Sequence, residues 1–160
     1  MQKVTILCVG KLKEKFYADA VAEYTKRLGR FCKLDIVELA EERLPEDPSP
    51  AQIGAALAKE ADAIRGKLPA SAYVIAMCVE GKSRSSEELA RLMADSASRG
   101  DSQLVFLIGG SFGLHPSVQE LAAVKLSMSP MTFPHHLARV MLLEQIYRAY
   151  QINAGSKYHK

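Results

Sequence analysis

The sequence predicts an α/β fold, a mainly parallel sheet flanked by helices, in a single domain spanning residues 1–160. Short apolar, β-branched runs alternate with longer stretches whose apolar residues recur at helical spacing. No repeat, long linker or low-complexity run divides the chain, and 160 residues are enough to bury a real core in one piece.

The elements follow in order. VTILCVG (4–10) reads as a buried strand ended by Gly10. KEKFYADAVAEYTKRLGR reads as a helix: Phe16, Ala20, Val21, Tyr24 and Leu28 fall near one face, and Gly29 stands where a C-terminal cap belongs. KLDIVELA (33–40) alternates as a second strand. EERLPEDPSP is an acidic loop with three prolines, after which Ser49 caps a helix that has Pro50 in its first position and runs to about Gly66. AYVIAMCV (72–79) is the third strand. A turn and a helix follow, with Ser85 or Ser86 as cap and Glu87 and Glu88 in the first turn, where acids suit the helix dipole. QLVFLIGG (103–110) is the clearest strand, HPSVQELAAV a short helix, and KLSMS (125–129) a fifth short strand. PHHLARVMLLEQIYRAYQI is the last helix and NAGSKYHK the tail. Its apolar stripe of Leu137, Met141, Leu142, Gln145, Ile146 and Ala149 suits a core or an oligomer contact.

Composition narrows the class. Hydrophobic residues make up 48% and charged residues 24%, as in ordinary globular proteins. The first residues lack the apolar run of a signal peptide, and nothing approaches the roughly 20 apolar residues of a membrane span. Cys8, Cys32 and Cys78 are odd in number and set in apolar runs, which predicts buried thiols in a reducing cytoplasm. No metal-ligand spacing appears. His135 and His136 are adjacent, whereas a helical zinc pair needs i,i+4 spacing.

The net charge of +3 is unevenly spread. Residues 1–30 carry seven Lys/Arg against three acids, residues 31–70 five against eight, and residues 111–160 five against two. Basic ends around an acidic middle suit a polyanion if the fold brings the ends together; solvated helix faces are the plainer reading.

Ligands of parallel α/β sheets bind beyond the carboxyl ends of the strands. Three such ends are unusual here: Met77-Cys78 before Glu80-Gly81, Gly109-Gly110, and Met128 through Phe133. They share one crevice if their strands are neighbours. GGSFG allows close backbone approach, but it is neither G-x-G-x-x-G nor a Walker loop, and a tight turn explains it equally. In Ser129-Pro130-Met131-Thr132-Phe133-Pro134, two prolines remove amide donors, and no basic residue is present. That disfavours phosphate and suits a flat, nucleoside-like ligand such as S-adenosylmethionine; a packed connection with Met131 and Phe133 in the core is the competing reading. His135, near the start of the last helix, suits neutral capping or stacking. Glu144 and Arg148 have i,i+4 ion-pair spacing. The terminal Tyr158-His159-Lys160 is either a fraying end or a set able to stack on a base, move a proton and meet a phosphate.

VGKLKEKFYADAVAEYTKRLGRFCKLDIVEL, EGKSRSSEELA, FLIGGSFGL, LSMSPMTFPHHLARVMLLEQIYRA and the terminal YHK occur in that order. This pattern resembles the ribosomal RNA large-subunit methyltransferase H family, a branch of the SPOUT methyltransferases. It covers essentially the whole chain and is most specific from Phe106 to Lys160. The resemblance implies a C-terminal trefoil knot, a homodimer, and methylation of N3 of a pseudouridine in 23S rRNA of the assembled ribosome. It places S-adenosylmethionine at Met77, Gly109, Met128, Ser129, Pro130, Met131, Thr132 and Phe133. His159, Tyr158 and Arg148 become the expected catalytic residues, and Arg139, Lys160 and His135 the expected RNA contacts. Three departures stand out: His136 where Gln is frequent, Cys78 where an acid is common, and Met128 in place of Leu or Phe. The alternatives from other classes are a non-catalytic ribosome-binding factor that keeps the fold, and a small α/β protein that binds a phosphate-bearing nucleotide.

Overall fold

A computed structural model describes residues 1–160. Five strands form one sheet: β1 (Lys3–Val9), β2 (Lys33–Leu39), β3 (Tyr73–Ser83), β4 (Gln103–Ile108) and β5 (Val124–Ser127). Their order is β2-β1-β4-β3-β5, and every pairing is parallel. Five helices connect and cover them: α1 (Lys15–Leu28), α2 (Pro50–Lys67), α3 (Ser86–Ser98), α4 (Pro116–Leu121) and α5 (His135–Asn153).

Side-chain alternation divides the core into two layers. Val4, Ile6 and Cys8 of β1 and Leu104, Phe106 and Ile108 of β4 point to one face, where they meet Leu28 of α1, Leu89 and Met93 of α3, and Leu142, Ile146 and Ala149 of α5. Leu7, Val9, Val105 and Leu107 point to the other face, against Ala61 and Ile64 of α2 and Val118 of α4. Phe106 is wholly buried at the centre of the first layer.

Local chemistry fixes the helix starts. The Ser49 hydroxyl accepts from the Gln52 amide at 3.1 Å, and the Gln52 side chain accepts from the Ser49 amide at 2.8 Å. Ser85 and Glu88 close the same reciprocal box at α3. Of the two serines offered by the sequence, Ser85 is the cap, and Ser86 donates to Gln145 on α5 at 2.6 Å. The helix expected over 115–124 stops at Leu121, because the Ala123 amide bonds to the Val74 carbonyl at 2.8 Å and the chain enters β5.

β3 runs four residues beyond its expected end at Val79. Its pairing with β5 breaks after Met77–Leu126 and resumes at Lys82–Leu126. Between these points the strand bulges, leaving Val79 exposed. A Cβ added at Gly81 would lie 2.8 Å from the Lys125 and Leu126 backbone, so only glycine fits this close approach. α5 is buried more fully than its single expected stripe suggests: no residue from 135 to 152 is exposed. No helix is long and apolar enough to cross a membrane.

Candidate functional site: a cleft beyond the strand ends

β4, β3 and β5 are neighbours, and the ends of all three open into one cavity of about 690 Å³. That size suits a small ligand. Met77 and Cys78 enter from β3, Ile108 through Leu114 from the β4 end, and Leu126 through Ser129 from β5. Met131, Thr132, Phe133 and Pro134 form a further wall, followed by His135 and Ala138 of α5. Of the expected cofactor residues, Met77, Gly109, Met128, Ser129, Met131, Thr132 and Phe133 line the cavity. Pro130 belongs to the same loop, and its exposed ring lies outside the lining.

The loop is shaped from within. The Ser127 hydroxyl donates to the Ser129 carbonyl at 3.1 Å, and the Ser129 hydroxyl accepts from the Met131 amide at 3.0 Å. Met131 is 73% exposed, so it is not the core residue that a packed connection would need. On the opposite wall, a Cβ at Gly109 would collide with the Gly113 backbone. Glu41, from the acidic loop, accepts from the Ser111 amide at 2.8 Å and pins that turn.

The charge of the cleft is distinctive. No Lys or Arg lines it, and Glu80 is its only acid. His135 belongs to the wall rather than to an open basic surface. Burial, and then the neighbouring His136, push its pKa below the ordinary histidine value, so it is neutral at pH 7. The ring expected to contact RNA thus stands, partly buried, in the cavity wall.

The expected RNA contact at Arg139 is corrected by its burial. Arg139 is 1% exposed. It donates to Glu38 Oε2 at 2.6 Å and to the Gly10 carbonyl at 3.1 Å. The guanidinium is buried and committed to these two acceptors, which leaves it out of reach of a phosphate, although the Glu38 side chain is partly exposed. These partners are not visible in sequence, since Glu38 and Gly10 stand 101 and 129 positions away.

The tail is docked. Arg148 Nη1 donates to His159 Nδ1 at 3.1 Å, which leaves the proton on Nε2, 2.7 Å from Glu87 Oε1. The Tyr158 ring lies under the Arg148 guanidinium, 4.8 Å from the centroid, and edge-on to Tyr147. Glu144 holds the other side of Arg148 at 2.6 Å. Lys160 is exposed. None of Arg148, Tyr158, His159 and Lys160 lines the large cavity. A second cavity of about 500 Å³ lies between β5, α3 and α5, lined by Arg84, Ser86, Glu144 and Gln145. Leu126, Ser127 and Met128 line both cavities.

A family model described as predicted SPOUT methyltransferase matches residues 2–159. The chain belongs to the SPOUT methyltransferase family. Among its SPOUT relatives, the ribosomal RNA large subunit methyltransferase H of Bifidobacterium adolescentis is 52% identical over 158 residues, covering 99% of both chains. The protein of the same name from Clostridium novyi is 52% identical over 157 residues, 98% of this chain and 99% of the relative. That of Clostridioides difficile is 50% identical, with the same coverage. Membership of a methyltransferase family implies that the chain uses a methyl donor.

Proposed function

We propose that this chain transfers the methyl group of S-adenosylmethionine to N3 of a pseudouridine in 23S rRNA of the assembled ribosome, acting as a cytoplasmic homodimer. The observation that carries the reading is the cleft itself: largely apolar walls, no Lys or Arg, and one acid. A polyphosphate would meet no positive charge there. A nucleoside with a positive sulfonium fits, with Met77, Gly109 and residues 128–133 around it. The names of the relatives supply the rRNA substrate class.

Bound S-adenosylmethionine supplies an activated methyl. The protein must hold the acceptor nitrogen in line with that methyl and remove the weakly acidic N3 proton. His159 is the proposed base, Tyr158 stacks on the target ring, and Arg148 and Lys160 meet phosphate or the developing negative charge. In the docked tail the Nδ1 lone pair of His159 accepts from Arg148 and Nε2 carries the proton toward Glu87, so release of Nδ1 from Arg148 precedes that work. The tail lies outside its own chain's cleft, which supports a site shared between two copies. The family's C-terminal trefoil knot would place the 128–134 loop at the dimer contact. Basic residues at the two ends of the chain would then meet rRNA phosphates.

The reading is tested by methyl transfer from labelled S-adenosylmethionine to intact ribosomes lacking the modification, compared with free 23S rRNA. Transfer to ribosomes supports it. Cofactor binding without transfer to either substrate would favour the non-catalytic ribosome-binding factor.

A further inference from the structure

Arg139 is the largest fully buried side chain of the protein, and its burial removes the RNA contact expected of it. Its surroundings explain why a guanidinium stands inside α5. One branch reaches Glu38 at the end of β2, and another reaches the Gly10 carbonyl at the end of β1. Glu38 Oε2 also accepts from the Leu12 amide at 2.9 Å. The β1–α1 turn is thereby tied at two points, and Gly10 takes a φ of +105°, which side-chain-bearing residues rarely adopt. Gly10 in turn abuts the cleft wall: a Cβ built on it would lie 3.5 Å from His135 Nε2. His135 and Ala138, on the turn of α5 just before Arg139, both line the cavity. Hydrogen bonds therefore join Glu38, Arg139 and Gly10, and Gly10 faces the His135 ring closely enough that an added Cβ would be in van der Waals contact with it.

We propose that Arg139 and Glu38 are positioning residues for the cofactor cleft, setting the first turn of α5, and so the His135 wall, against the strand ends. A buried guanidinium is a costly way to fill a helix interface; apolar side chains of similar volume would pack there without a desolvation cost. What the ion pair adds is a fixed geometry. Two planar donors with separate acceptors on two strands allow one register of α5 over the sheet. Lysine has the charge without the fork, so it reaches one acceptor at a time.

The proposal rests on the reading of the cleft as an S-adenosylmethionine site, and calorimetric titration with S-adenosylmethionine separates the two. Glu38→Gln and Arg139→Lys should keep the wild-type binding stoichiometry and weaken affinity about tenfold, equivalent to about 1.4 kcal/mol. KM for S-adenosylmethionine should rise in step while KM for ribosomes holds. Arg139→Met should be weaker than Arg139→Lys. If Arg139→Met does not fold, Glu38→Gln carries the test, because that side chain is already 34% exposed. Variants with wild-type affinity, showing only lower stoichiometry or melting temperature, would overturn the proposal and leave the pair a purely structural tie. Failure of the wild-type protein to bind S-adenosylmethionine would instead defeat the reading of the cleft.

Discussion

Arg148 holds His159 by its Nδ1 atom at 3.1 Å, eleven residues along the chain, and so turns the histidine's other nitrogen onto Glu87. The hydrogen bond from His159 holds the Glu87 carboxyl below its ordinary pKa of 4.5, with the backbone amide of Glu87 adding to the effect. A carboxyl whose pKa is depressed in the docked state favours docking while it is ionised. That preference is present above the ordinary value and is lost as pH falls through the depressed one. NMR signals of the His159 and Tyr158 rings should therefore report a docked tail at neutral pH and a released one in acid. Glu87→Gln should release the tail at neutral pH. Unchanged ring signals in that variant would show that Glu87 does not hold the tail.

Removal of Tyr158 to Lys160 should abolish methyl transfer and leave S-adenosylmethionine affinity within about twofold, because none of these residues lines the cleft. Paired titration and single-turnover measurements check this. Full activity in the truncated protein would exclude the tail from the chemistry.

A site shared across two copies predicts rescue. A tail-truncated chain mixed with a chain inactivated in the cofactor loop should regain part of the wild-type activity after subunit exchange. Exchange proven by mass spectrometry without rescue would place each site within one chain.

Two glycines should respond in opposite directions to alanine. Gly109→Ala drives a methyl into the Gly113 backbone and should cost cofactor affinity and stability. Gly54, inside α2 with nothing within 4 Å of an added Cβ, should gain about 0.5–1 kcal/mol as alanine. Denaturant unfolding at fixed protein concentration measures both.

The thiols should differ in reactivity. Burial pushes Cys8 up to about 12, and it should stay unmodified by a disulfide reagent at pH 8 in the native state. Cys78 is raised mainly by burial, then by Glu80, but it lies in the cleft wall. It should react slowly and be protected by S-adenosylmethionine. Equal rates with and without S-adenosylmethionine would place the ligand elsewhere.

The order and type of all ten elements were legible, because each strand carries its own apolar run and each helix its own apolar spacing. What escaped depends on contacts distant in sequence. β3 continues past Val79 only because Gly81 lets the chain bulge and pair again with β5, and nothing in EGKS shows a strand. Arg139 read as a surface cation because its partners lie in β1 and β2. Glu41 read only as part of an acidic loop, yet it pins Ser111 beside the cleft. The crevice itself was legible once the three unusual strand ends were noticed, and the strand order then brought them together.

The most direct measurement is mass spectrometry of 23S rRNA fragments after reaction of unmodified ribosomes with the protein and isotopically labelled S-adenosylmethionine. The account predicts one labelled methyl, on N3 of a pseudouridine in the stem-loop facing the small subunit. A labelled methyl on another nucleotide, or none from a folded protein that binds the cofactor, would contradict it.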